Sequence, residues 1–357
     1  MLTRVHFAGI KSLLDVTLNL DRFTVLVGPN GCGKSTLLDQ VELVTIATTA
    51  NTRTQNIFGS VGDALEAEGL GELRTADRDL PLVIEASDDR GRQVSLHIQK
   101  SPEFQWAGGT QVEATSAEGT LSLSYESKPG ERIAFQSHLA QGFDWRAQRL
   151  ALNPTAISAP SPVQTEILSP SGYGLPTILK DLAGNDTAAF LRLQEDLRQV
   201  VPHFRELRFG KGRDRAEGPV VTLELVMQQG RIPAHRASDG TLLALALLAA
   251  THNSDLPRLL LMDDLDHGLH LSAQIAMVEA IRRVMQTRTD LQVICTSHSP
   301  VLLDSFQVAE VRVVALDAQG YTRVRSLADH PPLDPWRASM STGELWANLG
   351  EGWVVDA

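Results

Sequence analysis

Cysteine is scarce in this chain: Cys32 and Cys295 are the only two among 357 residues. A disulfide framework is thereby excluded, and a reducing, cytoplasmic setting is expected. Long apolar runs are also missing. Nothing approaches the ~20 residues that span a bilayer, so no membrane partner is expected. The opening MLTRVHFAGIKSLL lacks the apolar run and small-residue step of a signal peptide. Positive charge is in deficit, with a net charge of −11 and a pI of about 5.4. That balance argues against a generally basic nucleic-acid binder. No internal repeat and no sustained heptad appears, which excludes a solenoid or a long coiled coil. What remains is an ordinary globular composition, 43% hydrophobic and 21% charged. It is enough to build the core of one large or two ordinary domains.

The first 27 residues read as three strands, LTRVHF, LDVTLNL and FTVLV, the last of them buried. GPNGCGKST and the helical run LLDQVELVTIATTA follow. Residues 51–90 mix glycine, threonine and charge and look loop-rich. From 82 to 137 the pattern is β, with LPLVIEAS, RQVSLHIQ, GTLSLSYES and RIAFQ set between turn residues. Residues 150–175, rich in proline, serine and glycine, suggest a long connection. Helical spacing follows over LPTILKDLAGNDTAAFLRLQEDLRQVVPHF, with Asn185-Asp186 as a helix cap. Then come a strand (PVVTLELVMQ), an apolar helix (DGTLLALALLAATH) and three buried strands (PRLLLMDD, LQVICTS, AEVRVVAL), with LSAQIAMVEAIRRVMQ as a helix between the first two. Buried strands alternating with helices imply an α/β fold with a largely parallel sheet flanked by helices. We expect a discontinuous head domain over 1–50 and 219–330, an inserted β-rich arm and helical lid over 51–218, and a tail over 331–357.

One segment carries most of the chemistry. Gly28-Pro29-Asn30-Gly31-Cys32-Gly33-Lys34-Ser35, followed by Thr36, matches G-x-x-x-x-G-K-[ST] between a buried strand and a helix. Glycines let backbone N–H groups turn inward around phosphate oxygens. The helix beginning near Lys34 aims its positive end at the same anion. Lys34 is expected to reach the β- and γ-phosphates of ATP, and the Ser35 hydroxyl to ligate Mg²⁺.

A second segment, LLLMDDLDHGLH at 259–270, runs four apolar residues into three aspartates and two histidines. One reading is a metal site built from Asp263, Asp264, Asp266, His267 and His270. The other is a nucleotide site in which Asp263 holds the hydrated Mg²⁺ and Asp264 orients or deprotonates the attacking water. Gly268 interrupts the helical spacing that the two histidines would need, and the P-loop favours the second reading.

In four segments, taken in order, the chain resembles the ABC-type ATPase heads of the RecF/SMC/OLD-like group. They are GPNGCGKST with the strands before it, RASDGTLLALALL, LLLMDDLDHGLHL and QVICTSHSPVLLD. The segment GYGLPTILKDLAGND…VVPHFRELRF is similar to the helical lid of stand-alone members. The resemblance implies that Ser238, Asp239 and Gly240 form a signature turn. Such a turn caps the γ-phosphate held by the P-loop of a second copy, giving an ATP-dependent homodimer. It implies a phosphate-sensing role for His298 and a charge-stabilising one for Arg236. It also implies work in DNA repair or anti-phage defence with a separate effector chain, and DNA as a further partner.

The chain departs from that pattern in places. Asp264 and Leu265 stand where a glutamate and a proline are usual, which implies slow hydrolysis and admits a nucleotide-gated scaffold as the rival reading. The signature reads SDG where many relatives have SGG, which together with the GLH segment argues against a transporter subunit. Gln55 and Gln136 are the candidates for a glutamine loop, and Lys11-Ser12 match a phosphate-proximal position. The stretch FGKGRDRAEG at 209–218 reads as a solvated hairpin tip, and Trp336, Trp346 and Trp353 as packing for a terminal element.

Overall fold

The computed structural model describes residues 1–49, 82–100, 115–117, 120–128, 131–139, 147–214, 218–254, 257–331 and 339–355. The strands are β1 (Leu2–Ile10), β2 (Leu13–Asn19), β3 (Phe23–Val27), β4 (Leu82–Asp88), β5 (Gln93–Lys100), β6 (Thr115–Ala117), β7 (Thr120–Lys128), β8 (Glu131–Leu139), β9 (Ala147–Leu150), β10 (Ser161–Pro162), β11 (Phe204–Asp214), β12 (Gly218–Met227), β13 (Gly230–Pro233), β14 (Leu259–Met262), β15 (Gln292–Thr296), β16 (Val311–Leu316) and β17 (Thr322–Ser326). The helices are α1 (Lys34–Thr49), α2 (Pro154–Ser158), α3 (Leu175–Asn185), α4 (Thr187–Val200), α5 (Asp239–His252), α6 (Leu271–Thr287), α7 (Pro300–Leu303) and α8 (Thr342–Leu349). They fall into two compact units. One comprises Met1–Ala147, Val308–Ser339 and Leu345–Ala357, the other Gln148–Gln307 and Met340–Glu344.

In the first unit, β1 alternates burial so that Leu2, Val5 and Phe7 point into the core. It pairs antiparallel with β2 and β4 in a seven-stranded sheet of order β2-β1-β4-β5-β8-β7-β6. The five residues of β3 are all buried. Such a run needs cover on both faces, as in parallel sheets, and β3 indeed lies parallel to β16, which turns antiparallel into β17.

In the second unit, β14 and β15 run parallel, buried at every position, with β9 on the other side of β14. Helix α5 is apolar all round and is buried from Thr241 to His252, so it passes through the core rather than along a surface. Asp186 caps α4 by accepting from the Ala189 N–H at 2.9 Å, at the point where the sequence places a cap. Buried Asp196 on α4 accepts from His252 on α5 (2.9 Å) and from Arg283 Nε on α6 (2.9 Å), tying three helices together.

Residues 150–175 are more than a connection. Asn153 accepts from the Thr155 and Ala156 N–H groups and caps the short α2, whose Pro154 sits where a helix needs no donor. Ser161 and Thr177, both fully buried, then exchange a 2.8 Å bond that anchors β10 against the start of α3. The 209–218 stretch does form a hairpin end, with Asp214 opposite Gly218, and residues 215–217 lie outside the described set. Trp353 packs edge-on against His330 (4.9 Å between centroids) and donates to the Gly350 carbonyl at 3.1 Å. Trp346 is half-buried on α8, and Trp336 lies outside the described residues. Among the described residues, no helix is long and apolar enough to cross a membrane.

Candidate functional site

In the first unit, β3 ends at Val27 and α1 starts at Lys34, so the six residues 28–33 make the whole turn. Pro29, Asn30 and Gly31 are exposed, Cys32 is buried, Ser35 is exposed and Thr36 half-buried. The Lys34 ammonium, itself buried, donates to the Gly28 carbonyl at 2.9 Å and the Pro29 carbonyl at 2.8 Å. With both carbonyls on its ammonium, the lysine bridges the mouth of its own loop. Burial pushes the neighbouring Cys32 thiol above its ordinary value, while the Lys34 charge pulls the other way.

A brace of hydroxyls holds the loop from behind. Thr322 Oγ1 donates to the Cys32 carbonyl at 2.9 Å and lies 2.7 Å from Ser12 Oγ, and the Thr322 N–H donates to the Ser12 carbonyl at 2.8 Å. Gly33, at φ +102°, leaves no room there, because a Cβ would meet Thr322 Oγ1 at 2.5 Å. Ser12 was legible beside Lys11, which takes φ +47°. Thr322 was not, since it lies 290 residues beyond Cys32 and carries no motif.

In the second unit, the acidic strand end is organised by one hydroxyl. Thr296, the last residue of β15, donates to Asp263 Oδ1 at 2.7 Å and accepts from the Asp264 N–H at 2.7 Å. Asp264 adopts φ +48°, a left-handed conformation in which aspartate is among the better tolerated non-glycine residues. Its carboxylate is half exposed, and Oδ1 lies 3.8 Å from His298 Nε2. Asp263 is more enclosed, at 27% side-chain exposure. Its Oδ2 accepts from the Arg149 guanidinium at 2.9 Å. Arg149 sits on β9 and escaped sequence reasoning, because 114 residues separate the pair.

Asp266 and the two histidines serve local structure. The Asp266 carboxylate accepts from the His298 N–H at 3.3 Å, the His267 N–H donates to the Asp264 carbonyl at 2.8 Å, and His270 caps α6 through Ser272. These engagements make a turn and a helix start rather than a five-residue metal cluster. Ser299 caps α7 and donates to Gln274, which in turn donates to the Asp266 and Leu269 carbonyls. The segment after His298 is thus locked onto the GLH loop.

Ser238 is the N-cap of α5. Its hydroxyl lies 2.7 Å from Thr241 Oγ1 and accepts the Thr241 N–H at 3.3 Å. Ser238 and Asp239 are exposed, as is Arg236 two residues before the cap. Behind the cap, Gly240 packs against the Gly268 carbonyl so closely that a Cβ would lie 2.6 Å from its oxygen. The structure therefore brings Gly240 against the GLH loop. Of the glutamine-loop candidates, Gln136 lies on β8 and Gln55 lies outside the described residues.

The geometry agrees with the comparisons to solved structures. An SMC head bound to the C-winged helix domain of ScpA matches with a TM-score of 0.55 at 15% identity, covering 91% of this chain and 97% of that one. The SMC head domain with an extended coiled coil bound to the C-terminal domain of ScpA, derived from Pyrococcus furiosus, matches with a TM-score of 0.53 at 14% identity, covering 95% and 99%. No curated protein sequence matches. The fold is that of an α/β P-loop NTPase of the ABC-type, SMC-head class, with a mixed, largely parallel sheet flanked by helices.

Residues 23–304 match the family model described as "AAA domain, putative AbiEii toxin, Type IV TA system", and the chain belongs to that family. It is a P-loop ATPase of the AAA type.

Proposed function

We propose that the protein binds ATP with Mg²⁺, hydrolyses it, and uses the cycle to join and release two copies of itself. The observation that carries this reading is the Thr296 hydroxyl, which joins Asp263 and Asp264 while His298 stands 3.8 Å from Asp264. Asp263 is fixed by its bonds, and Asp264 is left half exposed on a turned-out backbone, free to take a water proton.

The residues suit a divalent cation. Asp263 is a carboxylate already answering to a positive partner, and Ser35 supplies a hydroxyl. A carboxylate and a hydroxyl are each ligand types that Mg²⁺ ordinarily takes beside substrate phosphates. When bound, the ion supplies charge neutralisation to the β- and γ-phosphates. The chain's own residues do the rest. Amides of 28–33 and the N-terminus of α1 receive the phosphates. Lys34 exchanges its loop carbonyls for phosphate oxygens. Asp264 would orient the water and accept its proton, and His298, 3.8 Å from Asp264, would sense the γ-phosphate.

Ser238, with Asp239 and Gly240, offers a second helix N-terminus on an exposed surface. We assign it to the phosphate of a partner copy, so that ATP closes a two-fold pair. A separate effector chain, acting in DNA repair or anti-phage defence, is the output that the resemblance to RecF/SMC/OLD-like heads implies, with DNA as a further partner.

Phosphate release tests the proposal. The parent should turn over ATP, Asp264→Asn should bind ATP but lose at least tenfold in rate, and Lys34→Ala should lose binding. A parent that binds ATP tightly without turnover would favour the nucleotide-gated scaffold. The half-exposed, short Asp264 side chain gives that reading its support.

A further inference from the structure

We propose that Arg149 is the resident counter-ion of Asp263 and that magnesium must displace it, so that this arginine sets how tightly the site takes its metal. The inference rests on the reading of Asp263 as the metal-holding carboxylate. Asp263 stands at the end of a buried strand with Asp264 and Asp266 close behind it in sequence, and a carboxylate so enclosed is costly without a cation. Its Oδ1 accepts a hydrogen bond from the Thr296 hydroxyl, which orients it but brings no charge. The charge comes from Arg149, whose guanidinium meets Oδ2 at 2.9 Å and is only 13% exposed. The arginine reaches it from β9, the strand beside β14, while Asp263 is the first residue past the end of β14.

Both oxygens of Asp263 are therefore engaged when no metal is bound. A hydrated divalent ion approaching this carboxylate has to take over the charge that Arg149 balances. Binding is then an exchange of one cation for another, and the net gain is smaller than for an unpaired carboxylate. Arg149 thereby acts as a positioning residue. It keeps Asp263 aimed, and it biases the site toward release of the metal once the phosphates no longer help to hold it.

The test uses Mn²⁺ as a spectroscopic substitute for magnesium. Its binding to the full chain is titrated by electron paramagnetic resonance with a saturating non-hydrolysable ATP analogue, and nucleotide affinity is measured separately in EDTA. Arg149→Gln should tighten Mn²⁺ binding by about five- to tenfold, leave nucleotide affinity in EDTA unchanged, and lower the melting temperature of the metal-free protein. Arg149→Lys, which keeps the charge, should stay within about twofold of the parent for Mn²⁺. Unchanged or weaker Mn²⁺ binding in folded Arg149→Gln overturns the proposal, and weakening would place the arginine on the nucleotide instead. Asp263→Ala separates the two levels. If it binds Mn²⁺ as well as the parent, the metal-site reading itself fails, whatever Arg149 does.

Discussion

Gly240 and Gly268 touch backbone to backbone: a Cβ on the first would sit 2.6 Å from the carbonyl oxygen of the second. One glycine lies in the first turn of α5, and the other lies in the acidic turn after β14. The contact joins the exposed Ser238 cap to the loop that carries Asp264 and Asp266. It gives a physical reason for glycine in both the SDG and the GLH segments. Gly268 adopts φ +71°, and a side chain there would strike Leu243 at 2.6 Å.

Gly240→Ala should therefore push the helix start away from the acidic turn. We expect a loss of about 1–3 kcal/mol in stability from overpacking, read by thermal or urea unfolding, and a loss of ATP-dependent association at concentrations where the parent pairs. An alanine variant with parental stability and association would show that the backbone contact is dispensable.

Thr296→Val removes the hydroxyl while keeping the shape of the side chain. It leaves the Asp264 N–H without its acceptor and Asp263 Oδ1 without its donor. The expected cost is about 1–3 kcal/mol, with phosphate release falling further than ATP binding, because Asp264 loses its aim. Thr296→Ser should recover most of both. Equal turnover in the valine and serine variants would count against the bridging role.

Asp196 gives a pH dependence. Burial alone would raise its carboxyl, but bonds from His252 and Arg283 outweigh that and hold it below its ordinary value of 3.8. A depressed folded-state value means that the folded chain binds fewer protons than the unfolded one in that window. This contribution to stability is present in full above about pH 4 to 5 and is lost as the pH falls through the folded value. Asp196→Ala should cost about 3 kcal/mol at pH 7, where it strands buried partners, and progressively less below pH 4. A destabilisation independent of pH down to 2 would mean that Asp196 matters for packing alone.

Much of this was readable from the chain before any coordinates. The buried runs of β3, β14 and β15, the glycine turn before Lys34 and the Asp186 cap are local patterns, each decided by a few adjacent residues. The short helix α2 was hidden because Asn153-Pro154 sits in text rich in proline and serine, where the same residues that start a helix also signal a loop. The Arg149–Asp263 pair and the Thr322 brace were out of reach for another reason. Each joins residues more than a hundred positions apart, and no spacing rule predicts which strand ends a fold will bring together. The positive φ of Asp264 was equally silent. The sequence shows an aspartate where a glutamate is usual. Only the backbone shows that this position takes a left-handed turn, which the shorter side chain tolerates well.

The central claim is that the 28–35 loop receives a triphosphate through Lys34, and calorimetric titration with Mg-ATP tests it most directly. The parent should show saturable binding, and Lys34→Ala, folded by circular dichroism, should lose at least about 2 kcal/mol, or more than tenfold, in affinity. An alanine variant that binds Mg-ATP as tightly as the parent would contradict the account.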